Sequence, residues 1–133
     1  MKKHIIAIGG GGFSRQISSC LIEKYILSLS NKKCPRICFL PTATGDSDTY
    51  IVRFYSLFSS LNCIPSHIDL FKRTIDISDH IMKQDVVFVG GGNTKSMLAV
   101  WKEWKLDTLL HKAYLKGTIL CGVSAGSICW YEK

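Results

Sequence analysis

Residues 122–126 read Gly-Val-Ser-Ala-Gly, a G-x-S-x-G pattern, and the chemistry that such a pattern serves is attack by a serine hydroxyl. The pattern follows an apolar run, TILCGV from Thr118 to Val123, and leads into a helix start at Ala125. Between a strand and a helix the turn must be sharp enough to lift the serine oxygen above a sheet, which requires small residues two before and two after it. Gly122 and Gly126 meet that requirement. The free amides of the first helical turn point at the same place, so the Ala125 N–H is the natural half of an oxyanion hole. Ser124 is therefore the candidate nucleophile. The bland alternative is a small residue at a strand-to-helix junction.

A second donor should come from a neighbouring strand end. Gly90-Gly91-Gly92 is the candidate, because glycine lets a backbone N–H approach a tetrahedral oxyanion closely. Asn93 and Thr94 either cap the helix that follows or touch substrate. Taken alone, GGGNT is a tight turn with a cap; beside the elbow it reads as the other half of the site. The first glycine run, Gly9 to Gly12, invites a dinucleotide reading that fails in detail. G-x-G-x-x-G would need glycine at Ser14 or Arg15, and no acidic residue ends the second strand. No Walker A sequence is present either. No cofactor is expected, and Gly10 and Gly11 are assigned to leaving room for substrate.

These loops need a scaffold, and the hydrophobic pattern supplies one. Apolar runs at His4–Ile8, Arg36–Leu40, Ile64–Phe71, Asp85–Val89 and Thr118–Val123 read as strands. Helical spacing recurs from Ser14 to about Ile26, over Thr49–Leu61 behind the cap residues Gly45-Asp46-Ser47-Asp48, near Asp79–Met82, and over Lys95–Trp101 and Leu106–Leu115. Alternating strands and helices predict a doubly wound, mostly parallel α/β sheet with helices on both faces. Ligands bind such sheets outside the carboxyl ends of the strands. The loops at Gly9–Phe13, Gly90–Thr94 and Ser124 all fall there.

With 133 residues the chain is read as one domain spanning 1–133. A hydrophobic fraction of 47% against 20% charged residues predicts folding and not disorder. No apolar run approaches the roughly 20 residues that span a bilayer, and Met1-Lys2-Lys3 introduces no signal-peptide core. A cytoplasmic protein without a membrane partner is expected. The formal net charge of +7 comes from scattered lysines without a basic, aromatic-interleaved stripe, so no nucleic-acid partner is expected. The six cysteines lack CxxC pairs and adjacent histidines; they read as reduced core thiols, and no metal is expected.

Four stretches taken together, IGGGG, FLPTATGD, VFVGGGNT and GVSAGSICW, resemble peptidase E, the aspartyl dipeptidases of the S51 serine peptidases. They occur in the family's order across essentially the whole chain. The resemblance implies a glutamine-amidotransferase-like, flavodoxin-like three-layer sandwich. It also implies cleavage of small peptides, dipeptides with N-terminal aspartate, through an acyl-enzyme. By position Ser124 matches the nucleophile, Ala125 the adjacent oxyanion N–H, and the Gly90–Gly92 loop the other donor. Arg15, Arg53 and Lys95 are each conceivable partners for the substrate carboxylate.

Family members continue well past the elbow, and that portion carries the histidine base and its acidic partner; this chain is read as an incomplete version that lacks them. Of its four histidines, His4 and His111 are expected at the wrong end of the sheet, His67 inside the third strand, and His80 in a polar connection. Low activity is therefore expected, with a non-catalytic binding or assembly module as the alternative. Ile128, Trp130 and Tyr131 are expected to lack a covering layer and to drive self-association through the C-terminal region.

Overall fold

The structure, a computed structural model, describes residues 3–8, 21–72 and 76–123. Its strands are β1 (Ile5–Ile8), β2 (Arg36–Leu40), β3 (Ile64–His67), β4 (Val86–Val89) and β5 (Ile119–Val123), and its helices are α1 (Leu21–Ser28), α2 (Asp48–Phe58), α3 (Ile77–Met82), α4 (Thr94–Trp104) and α5 (Leu106–Lys116). The strands form one sheet in the order β1-β5-β4-β2-β3, and every neighbouring pair is parallel. The doubly wound α/β expectation holds.

Strand residues alternate between two cores, as a pleated backbone requires. Ile37, Phe39, Val86, Phe88, Ile119, Cys121 and Val123 face α1 and α2, packing on Ile26, Leu27, Ile51, Phe54 and Phe58. Cys38, Leu40, Val87, Val89 and Leu120 face α3, α4 and α5, packing on Ile81, Met97, Trp101, Leu106 and Leu110. All four residues of β4 are fully buried, which is why its sequence is a continuous apolar run instead of an alternating one. The first core is aromatic: Phe54 stacks on Phe39 at 4.7 Å between ring centroids and lies 4.8 Å from Phe58, which meets Phe88 at 6.0 Å.

Local signals explain the element ends. The Ser47 side chain accepts from the Tyr50 amide and starts α2, and Asn93 accepts from the Ser96 amide to start α4. Lys105, in a left-handed conformation, turns α4 into α5, and Gly117 closes α5 at φ 113°. The third strand is shorter than the Ile64–Phe71 run predicts. After one more ladder bond, from the Ile68 N–H to the Phe39 carbonyl, the amides of Leu70 and Phe71 turn to the Asp46 carboxylate at 2.6 and 2.8 Å.

Among the described residues no helix is long and apolar enough to cross a membrane, and no group of three or more His, Cys, Asp or Glu side chains is placed to hold a metal. Cys38, Cys63 and Cys121 are free thiols within or beside the core, and burial pushes Cys38 up to about 12 and Cys63 up to about 11. Cys34, also free, is exposed and not a core residue, because the Asn31–Pro35 turn carries it outside the sheet. Cys20, Cys129 and the C-terminal apolar residues Ile128, Trp130 and Tyr131 lie outside the described residues, and with them the expected surface for self-association.

The aromatic stack predicts a steep contrast within α2. Phe54→Ala removes a fully buried ring and lowers the unfolding free energy by about 3–5 kcal/mol. Val52→Ala, at an exposed position on the same helix, changes it by less than about 0.5 kcal/mol. Urea unfolding followed by far-UV circular dichroism measures both.

Candidate functional site

The register of the parallel sheet sets the site. Val89, the last residue of β4, pairs with Gly122 of β5, and Val123 pairs with Ile8, the last residue of β1. Three strands thus end side by side, and from them the sequence passes into Gly9, Gly90 and Ser124. Ser124, Ala125, Gly10 and Gly11 lie outside the described residues; Gly91, Gly92, Asn93 and Thr94 lie within them. The connection after β2 goes to α2 on one face, whereas the connection after β4 goes to α4 on the other. Adjacent strands whose connections leave on opposite sides open the crevice where doubly wound sheets bind ligands.

In that crevice the loops after β2 and β4 are bonded to each other. The Gly90 N–H donates to the Leu40 carbonyl at 3.1 Å, and the Asn93 N–H donates to the Ala43 carbonyl at 2.8 Å. Gly92 lies between them at φ 143°, and a Cβ there would stand 2.3 Å from the Ala43 oxygen. Only glycine permits that approach. Pro41-Thr42-Ala43-Thr44 is in turn fixed from below: the Trp101 Nε1–H donates to the buried Thr42 hydroxyl at 3.0 Å, and the Thr44 hydroxyl donates to the Pro41 carbonyl at 3.0 Å. Asn93 acts as a helix cap, with its side chain on the Ser96 amide at 2.8 Å; Thr94 opens α4 behind it.

Tyr50 is a site residue that the sequence motifs do not reveal. It lies in the first turn of α2, three residues after the Ser47 cap, so its side chain returns toward the strand ends. Its ring packs edge-on against Phe39 at 5.0 Å. Its hydroxyl accepts the Gly91 N–H at 3.1 Å, and a Cβ on Gly90 would meet the ring at 2.7 Å. The cap spacing is the available signal, since Ser47 places Tyr50 where α2 meets the glycine loop.

The histidines are placed elsewhere. His67 ends β3, three positions across the sheet from β5, which at about 4.8 Å per strand is about 14 Å away. Its Nδ1 is bonded to the Tyr55 hydroxyl at 2.7 Å, and its Nε2 faces Asp69 at 3.3 Å. His80, which the sequence does not locate, is on α3 with Nε2 3.0 Å from the Ser66 hydroxyl. His4 precedes β1, at the amino end of the sheet, and His111 is exposed on α5. A general base must come within about 2.6–3.2 Å of the proton it takes, or one water away. Among the described residues no histidine lies at the carboxyl ends of β4 and β5. A groove of about 650 Å³, lined by His4, Lys32, Asp85, Lys116 and Thr118 among others, opens at the opposite, amino end of the sheet.

Two of the positive-φ glycines, Gly45 and Gly92, separate two effects. Gly45, at φ 69°, has nothing within 4 Å of where an alanine methyl would sit, whereas Gly92 faces a backbone oxygen. Gly45→Ala costs about 1 kcal/mol of conformational strain. Gly92→Ala adds a clash that must separate the loops after β2 and β4, and its loss of stability in urea exceeds that of Gly45→Ala. His80 supplies a pH test. Burial, then the charges of His67 and Lys83, hold it below its ordinary value of 6.5, against the opposing pull of Asp79. The unfolded chain therefore takes up the proton first, and stability falls as pH drops through about 6.5 toward the lower folded value. His80→Gln removes this part of the slope when unfolding is measured from pH 8 to pH 5.

The model of peptidase family S51 matches residues 5–133. The uncharacterized peptidase YgaJ of Bacillus subtilis (strain 168) is 52% identical over 132 residues, which is 98% of this chain and 57% of that protein. The uncharacterized peptidase Lmo0363 of Listeria monocytogenes is 26% identical over 102 residues, 74% of this chain and 50% of that one. A candidate peptidase E protein from Listeria monocytogenes EGD-e superposes with a TM-score of 0.72 at 23% identity, over 93% of this chain and 59% of its own. A peptidase from an acI-B1 Actinobacterium superposes at 0.77 and 18% identity, over 92% and 54%. These solved structures share the fold, and the chain spans little more than half the length of the relatives it matches. A five-stranded parallel sheet ending in this arrangement of loops, with the family's model matched from the first strand to Lys133, places the chain in peptidase family S51.

Proposed function

We propose that this polypeptide carries the nucleophile half of a serine peptidase active site of the peptidase E type. Ser124 attacks the carbonyl of a dipeptide with N-terminal aspartate and forms an acyl-enzyme. The Ala125 N–H and the Gly91–Gly92 backbone stabilise the oxyanion, and Gly10 and Gly11 leave room for the substrate. The observation that carries this reading is the register that ends β1, β4 and β5 level, with Val89 beside Gly122 and Val123 beside Ile8. It supports bringing the GGGNT turn next to the serine elbow. Of the three candidate cations for the substrate aspartate, Lys95 is exposed in the first turn of α4, two residues after Asn93. Arg53 lies midway along α2, and Arg15 lies outside the described residues.

In the proposed reaction the serine proton must pass to a base as the C–O bond forms, and return to the leaving amine as the C–N bond breaks. The absence of a histidine near the ends of β4 and β5 among the described residues leaves that task to polypeptide equivalent to the portion of the family that this chain does not span. The Tyr50 hydroxyl holds the Gly91 N–H in the structure, so of the two glycine amides Gly92 is the one offered to the oxyanion without displacing Tyr50. The same two observations favour a second reading, a non-catalytic binding module built on the same half-fold.

A fluorophosphonate probe separates the readings. The peptidase reading expects one slowly formed adduct by intact mass, lost in Ser124→Ala, because the oxyanion half-site acts here without its base. It also expects faster cleavage of Asp-X than of Ala-X dipeptides, with a defect in Lys95→Ala greater for Asp-X. A folded protein that takes no adduct supports the binding module instead, and equal rates on both dipeptides remove the aspartyl assignment.

A further inference from the structure

Cys38 and Cys121 are fully buried within β2 and β5, beyond the reach of a reagent in solvent. Cys34 and Cys63 are free thiols of another kind. Cys34 is exposed and Cys63 half-buried, and they stand at the amino ends of neighbouring strands. The β2–β3 ladder begins with Arg36 paired to Ile64, and the bond that opens it runs from the Ile64 N–H to the Pro35 carbonyl at 2.8 Å. One residue further out Cys63 faces Pro35, with Cys34 beside it on the diagonal. Parallel strands about 4.8 Å apart, rising about 3.3 Å per residue, set such diagonal Cα atoms on the order of 6 Å apart. Disulfide partners span about 4.4–6.8 Å between Cα atoms. Cys34 precedes the strand, in a bend, so the pleat does not commit its side chain to either face. The electrostatics agree with this placement. Burial first, and then the charge of the Cys34 thiolate, push Cys63 up to about 11, and a charge acts in this way only on a near neighbour.

We propose that Cys34 and Cys63 form a reversible oxidation site, which closes to a disulfide by exchange with a low-molecular-weight disulfide such as oxidised glutathione. The exposed Cys34 reacts first. Its thiolate attacks one sulfur of the small disulfide, a mixed disulfide forms, and one small thiol leaves with the proton that Cys34 gave up. The Cys63 thiol then gives up its 3.2 Å bond to the Phe58 carbonyl, loses its proton and attacks the Cys34 sulfur, releasing the second small thiol. Two protein thiols are oxidised by two electrons, and one small disulfide is reduced to two thiols. In the mixed disulfide Cys34 carries no charge, so its opposition to ionising Cys63 is gone by the time Cys63 must act. The closed loop of roughly thirty residues contains β2, the Pro41–Thr44 turn and α2 with Tyr50. Oxidation therefore ties down the part of the fold on which the glycine loop leans, and reduction releases it.

Treatment of the folded 133-residue protein with oxidised glutathione at pH 8 tests this. Intact mass is expected to show the loss of two hydrogens, peptide mapping to join the Cys34 and Cys63 segments, and dithiothreitol to restore the starting mass. The thermal midpoint of the oxidised protein rises by about 10 °C, the gain expected from closing a loop of this length in a domain of this size. Cys63→Ser stops at a glutathione adduct on Cys34, and Cys34→Ser takes up no glutathione at Cys63; neither shows the oxidised gain in midpoint. The midpoints of both variants under reducing conditions keep a lost crosslink distinct from a lost fold. A wild-type protein that stops at the Cys34 adduct, pairs Cys34 with another cysteine or with a second copy of the chain, or takes no oxidation at all overturns the proposal. So does a Cys34–Cys63 bond that leaves the midpoint unchanged or lowers it, because that bond would not fit the native strand ends.

Discussion

The approach of the Gly92 backbone to the Ala43 carbonyl holds the carboxyl end of the sheet together. It makes the 2.8 Å bond from the Asn93 N–H possible, and that bond joins the loops leaving β2 and β4 just where their helices diverge to opposite faces. Without it the crevice at this switch point would be open between two independent turns. With it, the glycine loop is a fixed edge whose amides have set directions. Such fixed amides are what oxyanion stabilisation requires, because dipoles that need not reorient lose nothing at the moment charge develops.

Both sides of that junction are anchored in the cores. From the α3–α5 side, Trp101 reaches through to Thr42. From the α1–α2 side, the aromatic stack of Phe58, Phe54 and Phe39 leads to Tyr50, and Tyr50 leads to Gly91. Asp46 completes the support. Its carboxylate is buried, and burial raises its pKa above the ordinary 3.8 while the Phe71 and Leu70 amides pull the other way. A partly desolvated carboxylate bound to two backbone donors is costly to disturb, and it pins the turn after β3 to the turn after β2. The FLPTATGD stretch therefore works as a clamp: its threonine, alanine and aspartate each hold a different neighbour.

Much of this is legible in the sequence. The strands β2, β4 and β5 stand out because both of their faces are buried, and α2 and α4 because cap-type residues precede them, among which the structure selects Ser47 and Asn93. The GGGNT turn is readable as a cap with close backbone approach, and the glycine requirement at 92 is the physical reason. What escapes is long-range. Nothing in IDLF warns that its later amides will prefer a carboxylate more than twenty residues away to the sheet ladder, so β3 ends sooner than its apolar run suggests. Tyr50 escapes for a related reason: its role depends on Phe39 and Gly91, which only the fold brings to it. His80 cannot be located from sequence because its connection carries no strong period, and its partner Ser66 is on another element.

The position of the histidines follows from the same sheet. A parallel sheet fixes its strands at about 4.8 Å intervals, so the order β1-β5-β4-β2-β3 alone puts His67 too far from the end of β5 for proton transfer, whatever its rotamer. Its two ring nitrogens are already engaged by Tyr55 and Asp69, which suits a structural histidine at a guarded edge. Among the described residues β5 is flanked by β4, with the glycine loop at its end, and by β1. β4 is buried on both faces and paired on both sides, so the glycine loop at its end stands on the most firmly held strand of the sheet.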